Sequence, residues 1–137
     1  MSILYPMLAM MGLTLFCIAR LGYLRFVAVK QREVDPRFFS LYRGYEEPEK
    51  LAACSRHVVN LFEAPVLFYV LGITAFLTEQ TGSIAISLAW AYVGLRLVHS
   101  YVHLTNNVVI IRFRLFVISM LVLTVLWGVV LTGIMRS

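Results

Sequence analysis

The chain has 137 residues, of which 61% are hydrophobic and 14% charged, with a mean hydropathy of +0.84. A soluble domain averages nearer half apolar and a quarter charged, so this composition places the chain in the membrane class and leaves room for a single domain. The net charge of +5 does not point to nucleic acid, because Lys and Arg fall between apolar blocks, where they set topology and meet anionic headgroups.

The first apolar block runs from Ile3 to Val29, interrupted by Arg20 and Arg25. No basic residue precedes it and it exceeds signal-peptide length, so it reads as a retained span, with Arg20 able to snorkel toward the nearer face. A polar stretch follows, in which Arg37 to Tyr42 supply an interfacial aromatic belt. Glu47-Pro48-Glu49 has the character of a helix start, since proline suits the first turn and acids complement the dipole there. The second helix should begin there, before the membrane, and continue through Arg56 to Leu77, with a kink where Pro65 frees a backbone carbonyl. A turn at 78–83 containing Gly82 leads to a third block over 84–104, broken by Thr105-Asn106-Asn107, and the fourth covers 112–134. The expected fold is therefore an all-α bundle of four transmembrane helices (about 3–29, 56–77, 84–104 and 112–134) in one domain over 1–137.

Lysine and arginine counts orient such a bundle. The first connection and its flanks carry Arg25, Lys30, Arg32, Arg37, Arg43, Lys50 and Arg56, and the third carries Arg112 and Arg114. The second connection and the N-terminus carry none, and the C-terminus only Arg136. Both termini should lie on the non-cytoplasmic side of a multi-pass protein, in the inner or cell membrane if the source is bacterial.

The polar residues inside the spans need a reason. Arg56, Asn60 and Glu63 share one stripe of the second helix, at i, i+4 and i+7; Tyr92, Arg96, His99 and His103 share one face of the third. Arg112 opens the fourth, and the alternating topology brings all of these groups to the cytoplasmic half. An intramembrane charge costs several kcal/mol unless paired or hydrated, so they should face the bundle interior or a wet cleft. Plainer explanations stay open: Arg56 and Arg112 as headgroup anchors, Glu63 with Arg96 as a structural ion pair, and His99 with His103 as haem or metal ligands. Against the last, only His57 remains to complete such a set. Cys17 and Cys54, far apart in the chain, imply neither a disulfide framework nor a zinc site.

The run Arg56-x-x-x-Asn60-x-x-Glu63-x-Pro65 in the second span, Arg96-x-x-His99-x-x-x-His103 in the third and then Arg112 resemble the MAPEG family, the membrane-associated proteins of eicosanoid and glutathione metabolism, in a bacterial-type member. The resemblance covers most of the chain, with motifs in order and at fitting spacing. It implies a homotrimer that binds glutathione as co-substrate between neighbouring subunits in the cytoplasm-facing half, without a metal. By position it implies that Arg56, Asn60 and Glu63 hold the tripeptide's charged ends and that Arg112 stabilises its thiolate. Arg96, His99 and His103 join the glutathione site, with Lys30 or Arg32 near the basic position at the end of the first helix. Two positions depart from the family pattern, which has tyrosine at His103 and near Phe116.

The implied function is a glutathione-dependent transferase or peroxidase acting on hydrophobic electrophiles or lipid hydroperoxides. Partners would be membrane lipids and a hydrophobic small molecule. A non-catalytic lipid-binding or scaffold member of the same family is the alternative, and a small multidrug-type transporter using Glu63 as its membrane carboxylate is a third.

Overall fold

The computed structural model describes residues 2–44 and 46–136. It is all-helical, with no strand among the described residues. The helices are α1 (Leu4–Lys30), α2 (Phe38–Leu41), α3 (Glu49–Leu77), α4 (Ser83–Leu104) and α5 (Val109–Ile134). The boundaries follow local chemistry. Pro48 stands at the N-cap of α3 with Glu49 in the first turn, as the Glu-Pro-Glu pattern predicts. Pro65 is buried within α3, which continues through it. The pattern does not predict α2; Asp35 starts it locally, accepting from the Arg37 N–H through Oδ1 at 2.8 Å and from the Phe38 N–H through its carbonyl at 2.9 Å.

Each of the first four helices is followed by a non-glycine residue in the left-handed region: Arg32, Tyr42, Glu79 and Asn107. After α1, α3 and α4 the chain closes back with N–H bonds from Glu33 to Ala28, Gln80 to Ala75 and Asn107 to Val102. These satisfy end carbonyls that have no partner within the helix itself.

Three helices, α1, α3 and α5, are long and apolar enough to cross a membrane. The expected fourth, α4, has 22 residues, or about 33 Å at 1.5 Å per residue. Its C-terminal half carries Arg96, His99 and His103 and is correspondingly less apolar. All three of these side chains are buried.

Packing pairs α1 most extensively with α3 and α4 with α5, while α1 and α3 each also touch α4. The core has large side chains set against small ones: Met10, Leu61, Phe68, Tyr92 and Leu126 against Ala75, Ala85 and Ala89. Small residues let helix backbones approach where no hydrophobic force separates helix from lipid. Gly72 meets the Met7 side chain, whose Sδ lies 2.6 Å from where a β-carbon would be. Phe68 stacks on Tyr92 with ring centroids 4.7 Å apart. By contrast, α3 and α5 touch only lightly and α1 does not reach α5, so a seam stays open between α3 and α5.

Buried polar ties cross this apolar packing, and the first involves an arginine. Arg96 of α4 is fully buried, and its Nη2 donates to the Asn60 side-chain oxygen of α3 at 2.5 Å and to the Asn60 carbonyl at 3.4 Å. Glu63, the ion-pair partner offered as one explanation of Arg96, is exposed on α3. No ion pair links them; an amide takes the place of the carboxylate.

Two outcomes check this packing. Phe68→Ala should cost about 3 kcal/mol of stability, read as unfolding in detergent; a loss below about 0.5 kcal/mol would contradict the Phe68–Tyr92 contact. Asn60→Ala and Arg96→Met should each destabilise, and the double variant should lose less than their sum, leaving a coupling of about 1.5–3 kcal/mol. Additive losses would show that the two side chains do not act together.

Candidate functional site

The open seam widens, at the end where α3 and α5 begin and α4 finishes, into a cavity of about 510 Å³. Helix α3 lines it with Ser55, Arg56, Val59, Asn60 and Glu63, and α5 with Val109, Arg112, Phe113 and Phe116. Both sets recur at three- and four-residue steps and so present one face of each helix. Helix α4 supplies His99 and His103 from behind. Six of the residues expected at the site thus share one cavity. Arg96 lies behind its wall, holding Asn60. Lys30 ends α1 and Arg32 follows it; both are exposed and neither lines the cavity.

Arg112 is half-buried. Its Nη1 donates to the side-chain oxygen of Asn107, the left-handed residue of the α4–α5 connection, while its Nε is buried without a partner. The connection therefore fixes the guanidinium, and a buried donor is left to be satisfied. Arg96 likewise keeps Nε and Nη1 unpartnered, and its guanidinium carbon lies 5.9 Å from the centroid of the Phe116 ring. Cation–π attraction offsets part of the cost of this buried charge. Phe116 thus has a task that needs only a ring face.

Sequence reasoning missed His57 and Ser100. His57 is fully buried, with Nε2 2.8 Å from the Ser100 hydroxyl oxygen. That hydroxyl donates its only proton to the Arg96 carbonyl, also at 2.8 Å. It must therefore accept from His57, which fixes the His57 tautomer with the proton on Nε2 and a bare Nδ1. The His57 ring lies 4.8 Å from the ring of His103 and 5.5 Å from that of His99, and the latter two are 5.7 Å apart. Nδ1 of all three is buried and unpartnered. The signal was present in the chain: a histidine beside Arg56, inside an apolar helix, needs a partner as much as a stripe residue does. Among the described residues, no group of three or more His, Cys, Asp or Glu side chains is arranged to hold a metal ion.

Two guanidiniums, Arg56 and Arg112, thus line the space with Arg96 behind its wall, and among the described residues Glu63 is the only acid that lines it. Apolar walls from Val59, Val109, Phe113 and Phe116 lower the local dielectric and strengthen these fields. The arrangement suits a ligand with more anionic than cationic groups and favours a negative charge placed beside Arg112.

No curated protein and no solved structure matches the chain. A family model does: the MAPEG family model matches residues 3–132. With nearly the whole chain covered by that match, the protein belongs to the MAPEG family.

Proposed function

We propose that the protein is a glutathione-dependent transferase or peroxidase embedded in a membrane by four spans, acting on hydrophobic electrophiles or lipid hydroperoxides. The observation that supports this most strongly is the convergence of Arg56, Asn60, Glu63 and Arg112 on one cavity, the residues expected to handle the tripeptide. Helix α4 serves as the fourth span, its buried polar residues turned inward, and the Lys/Arg count puts both termini on the non-cytoplasmic side. The chain works as a homotrimer, and the open side of the α3–α5 seam faces a neighbouring subunit.

The residue types fit the ligand. Glutathione carries two carboxylates and one ammonium, so its site needs an excess of cations and at least one carboxylate. Arg56 takes a carboxylate, Glu63 the ammonium, and Asn60 is held in the cavity wall by Arg96 behind it. The thiol beside Arg112 ionises more readily because a neighbouring cation stabilises the thiolate. The thiolate then attacks the electrophilic carbon; the sulfur–carbon bond forms as the leaving group departs with its electron pair. The apolar co-substrate reaches the sulfur from the lipid side, past Val109 and Phe113.

A second reading, a non-catalytic lipid-binding or scaffold member, draws support from Phe116, which offers no hydroxyl to the cavity. His103 retains a ring nitrogen able to donate a hydrogen bond.

Turnover of a chlorodinitrobenzene-type electrophile with glutathione tests the reading. Arg112→Ala should lower kcat/KM by about 100-fold, the order expected when one stabilising donor is lost from a low-dielectric site. Glu63→Gln should act mainly on KM for glutathione. Wild-type protein that neither turns over several such electrophiles nor binds glutathione would reject the enzyme reading.

A further inference from the structure

A second groove lies on the other side of the bundle, between α1 and α4, with a volume of about 260 Å³. Arg20 and Thr105 line one end, Leu13, Phe16, Leu97 and Leu104 supply most of the rest, and Ser100, whose hydroxyl is already bonded to the Arg96 carbonyl, and Tyr101 complete it. Leu13, Phe16 and Arg20 follow one another on one face of α1, so the apolar floor extends about 10 Å from the guanidinium toward the helix N-terminus.

Arg20 is the unusual member. It is half-buried, its Nε is enclosed without a hydrogen-bond partner, and no acid lines the groove. Enclosing a cationic donor in an apolar wall is costly unless an acceptor meets it. Thr105 follows the last residue of α4, so Arg20 stands at the level where α4 ends. Helix α1 continues to Lys30, about 15 Å further. In the four-span embedding proposed above, Arg20 therefore sits at headgroup height rather than deep in the bilayer, on the side where the basic first connection lies. The groove has the polarity of an amphiphile: one cationic end at the interface, and an apolar channel leading inward.

We propose that this groove is a binding site for an anionic phospholipid, with its phosphate on the Arg20 guanidinium and an acyl chain along Leu13, Phe16 and Leu97. The inference rests on the membrane embedding proposed above. It assigns Arg20 a ligand where snorkelling alone would leave its guanidinium to bulk water.

The test uses the whole protein in bilayer discs of phosphatidylcholine with and without phosphatidylglycerol, with mass spectrometry of the released protein counting retained lipid. Wild-type protein should keep phosphatidylglycerol under activation that strips phosphatidylcholine. Arg20→Gln should lower that retention at least five-fold, whereas Arg114→Gln, at an exposed cation on α5, should leave it unchanged. Leu97→Trp, which fills the floor and leaves the charge, should also lower retention, so the result does not depend on one variant folding. Equal retention by wild type and Arg20→Gln would overturn the site. So would equal retention of the two lipids, or a change in oligomer mass in place of lipid loss, which would make the groove a contact between copies. A chain that never enters the discs would overturn the membrane reading itself, and the site with it.

Discussion

A guanidinium enclosed by apolar helices cannot be left without acceptors, and much of the site's arrangement follows from how Arg96 meets that demand. Its Nη2 is held by Asn60, its plane lies near Phe116, and its backbone carbonyl takes the Ser100 proton that fixes His57. One residue on α4 thus sets an amide on α3, an aromatic ring on α5 and an imidazole on α3. The three helices that build the cavity are tied through it, and breaking a buried charged contact costs far more than losing an exposed one.

The same demand explains why the cavity lies where it does. Helices α4 and α5 pack closely, as do α1 and α3, but α3 and α5 barely meet. The polar groups gather at one end of this loose seam, where Arg112 is set by Asn107. Further along, the seam is apolar, lined by residues such as Leu71, Leu123 and Trp127.

Much of this was legible in the sequence. The helix ends at Glu49, Leu77 and Leu104 follow from Pro48, the turn at Gly82 and the Thr105-Asn106-Asn107 break, because these residues act locally. The stripe of Arg56, Asn60 and Glu63 follows from helical period alone. What the sequence did not disclose depends on which faces meet. Asn60 and Glu63 are both within reach of an α4 residue by depth, and only packing decides that Asn60 takes Arg96. His57 lies one residue from the stripe and so points elsewhere, toward Ser100, which periodicity on a single helix cannot reveal. Cys17 and Cys54, distant in sequence, meet where α1 crosses α3, with the Cys54 Sγ 4.0 Å from the Cys17 carbonyl oxygen.

The central claim is that the excess of positive charge around this cavity receives glutathione with its sulfur ionised at Arg112. The most direct measurement is the ultraviolet difference spectrum of glutathione mixed with the purified protein at neutral pH, where a thiolate absorbs and a thiol does not. The account predicts a saturable thiolate band with the wild-type protein, lost in Arg112→Ala while the peptide still binds. Bound glutathione without a thiolate band, or a band that survives Arg112→Ala unchanged, would contradict it.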